Sequence, residues 1–197
     1  MKKMVYLFLT MLVLLSSCKK DETKLPIQAQ TIEINSTVST KWKYFSFEIN
    51  DTVKVTDPAN SVAWDLAFQR YRIKTNGGKS GSGLGSAANT YQKGQTGFDA
   101  LKLVSDTLTF ASDDSVEIAV QQGYATYVIN PKLYTWFTLE LAPQGTQVVP
   151  SDFIYVIRTA EGKYAKVWFK RYYSASNVPG YITIQYKYQK DGSKNLE

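Results

Sequence analysis

From residue 41 onward the chain alternates apolar and polar side chains with a period of two, the signature of strands that bury one face. In residues 41–49, Phe45, Phe47 and Ile49 share one face while Trp42, Tyr44 and Ser46 share the other. Residues 52–55 supply the partner strand of a hairpin, which ends at the turn Asp57-Pro58-Ala59-Asn60. Val62, Trp64, Leu66 and Phe68 then form an inward face, but Tyr71 and Ile73 carry the pattern in the opposite parity. That slip predicts a bulge near Gln69-Arg70, re-aiming Arg70 and Arg72.

The second half is written in the same way. Val116, Ile118 and Val120 alternate with polar or small neighbours, Gly123 precedes a strand over residues 124–129, and Asn130-Pro131 turns the chain. Phe137, Leu139 and Leu141 alternate with Trp136, Thr138 and Glu140, followed by a loop over residues 143–150. Strands over 153–157, 163–169 and 181–188 complete the pattern, with a turn at Glu161-Gly162 and at most one short helix, over 174–178. Short strands at intervals of roughly ten residues predict an all-β fold, a single antiparallel domain spanning residues 31–190 with a polar tail at 191–197.

The front of the chain reads differently. Lys2 and Lys3 precede an apolar run over residues 5–15, which ends at Leu15-Ser16-Ser17-Cys18. The run is well short of the roughly 20 residues of a spanning helix. Small residues before the cysteine mark a lipoprotein signal peptide over residues 1–17, with Cys18 the acylated first residue of the mature protein. Residues 18–30 are then a tether to the outer membrane, beginning with the charged run Lys19-Lys20-Asp21-Glu22, which resembles the export tag of Bacteroidetes surface lipoproteins. This reading places the domain at the cell surface.

Charge and composition narrow the chemistry. Without Lys2 and Lys3, the mature chain has 21 basic and 17 acidic residues, a net charge of +4, an ordinary surface balance with no nucleic-acid signature. The only cysteine is the lipid carrier, so no disulfide braces the fold. There is no histidine, and Met1, Met4 and Met11 all lie in the leader. The mature domain therefore offers a metal no imidazole, thioether or free thiol, and histidine-based triads and general bases are excluded. The acidic pair Asp113-Asp114 lacks the alternating ligands and glycine of a calcium loop and reads as a turn. With no catalytic motif remaining, the chain reads as a non-enzyme with no metal site of its own.

Five glycines crowd residues 77–85 of the run Asn76-Gly77-Gly78-Lys79-Ser80-Gly81-Ser82-Gly83-Leu84-Gly85. A phosphate-binding loop ending at Gly78-Lys79-Ser80 would need glycine where Ile73 stands, and a dinucleotide fingerprint starting at Gly81 would need a third glycine at Ser86. The loop thus either turns the chain or approaches something closely. Residues 166–173 are aromatic and basic but lack the glycines of an RNA-stacking motif, and read as a strand with one solvated face.

Trp42-Lys-Tyr-Phe-Ser-Phe47, Trp64-Asp-Leu-Ala-Phe-Gln-Arg70 and the glycine run, in that order, resemble the N-terminal motifs of the HmuY family. Residues 136–169, with Arg158 and Gly162-Lys-Tyr-Ala-Lys-Val-Trp168, are similar to its C-terminal half. The resemblance implies an elongated, hand-shaped β lipoprotein that captures haem and passes it to a TonB-dependent receptor. It also implies two axial ligands, histidine or methionine. One of those positions falls on Leu141 and the other in residues 111–115, and neither supplies such a donor. Tyr124 and Tyr134 flank the cleft that the resemblance implies, leaving a tyrosinate or a lysine amine as candidate ligand, and Trp136 is placed to stack on a porphyrin face. Two readings stand side by side: a binder of haem or a related porphyrin without the usual axial ligands, and a module on the same scaffold that recognises another ligand or a surface protein.

Overall fold

A computed structural model describes residues 26–120 and 122–197; the leader and Cys18 lie outside the described residues. Two antiparallel sheets face each other across one core. The larger runs in the order β1 (Gln30–Asn35), β13 (Pro179–Gln189), β12 (Tyr164–Tyr173), β11 (Phe153–Arg158), β6 (Ser86–Lys93). The smaller runs β3 (Asp51–Val53), β2 (Lys43–Ser46), β4 (Leu66–Gln69), β5 (Arg72–Thr75). Phe45, Leu66, Phe68 and Ile73 from the small sheet meet Ile34, Val167, Phe169, Ile182, Ile184 and Tyr186 from the large one. Alternate side chains along each strand point to one face, and this arrangement buries that face of both sheets together. Phe45, Phe47 and Tyr186 pack edge to face with ring centroids 5.1–5.8 Å apart.

The other face of the large sheet is covered as well. Phe98 from the short helix α1 (Gly94–Ala100), Leu101, Val104 and Leu196 pack on Ile154 and Val156. The segment 191–197 is therefore no free polar tail. Leu196 is fully buried, its N–H donates to the Lys102 carbonyl, and the Ile27 N–H donates to the Glu197 carbonyl.

Two ribbons project from this body, β7 (Asp114–Val120) with β8 (Gly123–Ile129), and β9 (Phe137–Ala142) with β10 (Gly145–Pro150). The expected loop over 143–150 is thus mostly strand. Val148 pairs with Leu139 and Thr146 with Leu141 across a turn at Pro143-Gln144.

Other expectations are corrected by local chemistry. The parity change at Gln69-Arg70 is a hairpin turn and not a bulge: Gln69 pairs with Arg72, and Arg70 takes φ 55°. Two turn residues shift the pattern by the same parity as one bulged residue. Residues 174–178 form a turn in which Ser174 Oγ accepts from the N–H groups of Ser176 and Val178, a local bond that competes with helix formation. Ile49 and Val62, assigned to buried faces, are exposed because each lies in a connection outside the strands.

The glycine run is explained by its interior. Asn76 is buried; its Nδ2 donates to the carbonyls of Ser61 and Trp64, both at 2.8 Å, and its Oδ1 accepts from the Gly83 N–H at 3.2 Å. Gly77 and Gly85 lie backbone to backbone, and Gly83 presses on Asn76 and Ala160. Gly81 packs against the Asn76 amide, and Gly78, at φ 59°, against Asp113. The loop winds around one asparagine and turns the chain.

Candidate functional site

The β4–β5 turn carries Arg70, Tyr71 and Arg72 to the place where both ribbons leave the body. The Tyr71 ring lies 4.9 Å from Phe137 and 6.3 Å from Tyr172. Tyr134, on the single 3-10 turn Leu133–Thr135, meets Phe137 edge to face at 5.4 Å. Tyr127 of β8 lies under the Arg72 guanidinium at 4.1 Å. Beside this cluster a groove of about 450 Å³ is lined by Arg70, Tyr71, Leu139, Val148, Tyr172 and Tyr173, among others. Its size falls within the range of small-molecule sites. The Val148 N–H donates to the Tyr173 hydroxyl at 3.0 Å, which fixes the β9–β10 ribbon against the end of β12.

The cluster is rich in phenols, and burial acts on two of them. Burial pushes the Tyr134 phenol above its ordinary value, its neighbour Tyr71 adds to the effect, and Arg72 opposes it. Burial likewise raises Tyr172, against the pull of Arg70. At neutral pH Tyr134 and Tyr172 therefore present neutral rings close to the guanidiniums of Arg72 and Arg70. The groove thus has apolar walls with cations close by, and its lining offers no imidazole, thioether or thiol.

The residues singled out from sequence are distributed unevenly around this site. Tyr134 lies in the cluster. Trp136 is 1% exposed, its Nε1 donates to the Tyr71 carbonyl at 2.8 Å, and its ring packs on Phe169 and Phe137. It supports the wall from behind and offers no open ring face. Tyr124 is 76% exposed and pairs with Ala119, three residues along β8 from Tyr127 and so on the opposite face of the ribbon. Leu141 is 91% exposed, one step outward from Leu139 on the same face of β9. Asn76, Gly77, Gly78, Gly81, Gly83 and Gly85 are occupied with one another and with the body, as described above. Sequence reasoning missed Tyr71, Tyr127, Tyr172 and Tyr173. The available signal was Arg70-Tyr71-Arg72 at the point where the apolar parity changes.

The diagnostic Trp64-Asp65 pair has a structural task. Trp64 Nε1 donates to the Pro58 carbonyl, and the Asp65 carboxylate accepts from the N–H groups of Phe47 at 2.9 Å and Ala160 at 3.1 Å, joining the small sheet to the β11–β12 turn. Desolvation raises the Asp65 pKa against these bonds. Asp113 is buried too and accepts from Thr75 Oγ1 at 2.7 Å, the Thr75 N–H and Asn130 Nδ2, which ties the start of β7 to the end of β5. No helix among the described residues is long and apolar enough to cross a membrane.

The chain matches the family described as HmuY protein over residues 38–186. Solved structures share its fold. An HmuY-like heme-binding protein of Bacteroides vulgatus is 26% identical, covering 81% of this chain and 91% of its own, with a TM-score of 0.59. The apo HmuY analogue of Tannerella forsythia is 20% identical over 84% and 97%, with a TM-score of 0.63. A lipoprotein of Bacteroides fragilis is 21% identical over 81% and 88%, with a TM-score of 0.59. No curated protein matches the sequence.

Proposed function

The chain belongs to the HmuY family, and from that premise we propose that it binds haem or a related porphyrin in the tyrosine-lined groove beside its β9–β10 ribbon, without a histidine or methionine ligand. The observation that carries this reading is a groove of about 450 Å³ joined to a cluster of neutral phenols and two guanidiniums. The apolar walls enclose a flat macrocycle, and the cations meet its acidic edge. Fixation through iron is secondary, since a tyrosine would first have to give up a proton that burial holds in place. The protein is a carrier rather than a catalyst. Acylated at Cys18, it sits on the outer membrane at the cell surface and hands its cargo to a TonB-dependent receptor.

Spectroscopic titration of tag-free protein with haemin and with metal-free protoporphyrin tests the proposal; a histidine tag would supply the imidazoles that the mature chain lacks. The expected result is saturable one-to-one binding of both, with affinities within about tenfold (~1.4 kcal/mol) of each other. The haemin spectrum should lack the low-spin signature of paired imidazoles. If neither ligand titrates, the scaffold serves a different ligand or a protein partner.

A further inference from the structure

The next step concerns what the site reads on its ligand, and it rests on the porphyrin reading above. We propose that Arg72 receives a carboxylate of the bound tetrapyrrole, so that cargo is selected by its acid groups and not by its metal.

The two arginines of the turn are in different chemical states. Arg70 Nη1 is engaged, donating to the carbonyls of Thr37 at 3.3 Å and Pro179 at 3.2 Å. Its role is to hold the turn against the β1 and β13 ends. The Arg72 guanidinium is stacked, 4.1 Å above the Tyr127 ring and 5.8 Å from that of Tyr71. Among the described residues it has no carboxylate within ion-pair distance and no hydrogen-bond acceptor, and its Nε is shut away from water without a partner.

A half-buried cation with an orphaned donor is costly to keep, and such groups call for an explanation. Here the stacking supplies one. Tyrosine faces fix the plane of a guanidinium and so pre-organise its fork for a bidentate oxyanion. With Nε closed off, the Nη edge of the fork is the part left open to an acceptor. Its position against Tyr71, which lines the groove, places that acceptor beside the groove. Lys74, further along the same face of β5, stacks its ammonium on Trp42 at 4.4 Å instead and leaves this role to Arg72.

The test compares mesoporphyrin with its dimethyl ester, both dispersed in the same detergent, against tag-free protein and its Arg72→Gln and Arg72→Lys variants. The ester is expected to bind about 10- to 100-fold more weakly than the free acid, the range of one charge-assisted hydrogen-bonded pair. Arg72→Gln should lose a similar factor for the acid and none for the ester, and Arg72→Lys should restore only part, since an ammonium has no fork. Equal binding of acid and ester by the native protein would overturn the proposal while leaving porphyrin binding intact. A loss in Arg72→Gln that is the same for both ligands would overturn it too. Failure of the free acid to bind at all would remove the porphyrin reading and this one with it.

Discussion

Lys166→Ala is expected to lower the stability of the fold by about 3–5 kcal/mol. Lys166 is 1% exposed, and its Nζ donates to the Phe98 carbonyl at 2.7 Å and the Leu101 carbonyl at 2.6 Å. It thus closes the C-terminal end of α1, where orphan carbonyls collect. Alanine would leave both carbonyls unpaired and open a cavity against Phe98, whose ring lies 4.8 Å from the ammonium.

The same residue makes stability depend on pH. Burial, assisted by Lys187, pulls the ammonium from 10.5 down to about 8. Between those values the unfolded chain holds a proton that the native one releases, so stability rises with pH across that interval, by roughly 3 kcal/mol at most. The two carbonyl bonds favour the charged form and reduce the rise. Urea unfolding at pH 7.5 and pH 10 should therefore show a larger gain for the native protein than for Lys166→Met. An equal gain in both would mean that the buried ammonium does not titrate in this range.

Gly77→Ala is expected to cost about 3 kcal/mol or more, while Gly123→Ala costs about 1 kcal/mol. A Cβ at Gly77 would lie no farther than 2.9 Å from the carbonyl oxygen, carbonyl carbon and nitrogen of Gly85, and backbone cannot swing aside as a side chain can. At Gly123, on the ribbon turn with φ 102°, a Cβ meets nothing within 4 Å, so only the conformational penalty remains. Thermal unfolding of the two variants separates a packed loop from an open one. Similar costs at both positions would contradict the close approach of Gly77 to Gly85.

The strands were legible in the sequence because most of them alternate apolar and polar positions, although β11 buries both faces, Tyr155 and Ile157 inward and Ile154 and Val156 beside Phe98. The hairpins of residues 43–53, 114–129 and 153–173 fall where period two and the turn residues place them. Legibility failed where a tertiary partner overrides local pattern. Helix α1 (Gly94–Ala100) buries only Gly97 and Phe98, too little to make a helical stripe. Lys166 occupies a position that looks solvated until a helix end is brought over it. The β4–β5 turn carries Arg70 at positive φ without a glycine or asparagine to announce it.

The candidate site was less readable than the fold, for a related reason. Tyr71, Tyr127 and Tyr172 sit in or beside strands, where a tyrosine pattern is the same whether the ring faces a core or a cleft. Tyr134 packs in the cluster on Phe137, whereas Trp136, an equally plausible choice by pattern, is sealed behind the wall. The strongest family signals, Trp64-Asp65 and the glycine run, report how the scaffold is fastened.

The path from the N-terminus to the cleft also has a mechanical meaning. β1 leaves the Ile27 end of the body and delivers the chain, six paired residues later, to Ser36 and Thr37, which touch the Arg70 turn through the Ser36 hydroxyl and the Arg70 guanidinium. Those six residues span roughly 20 Å. A load applied at the Gln30 end and resisted at the cleft acts along the strand, in shear, so the β1–β13 bonds bear it together and do not open one by one. Tension on the chain at that end therefore does not peel the first strand from the sheet.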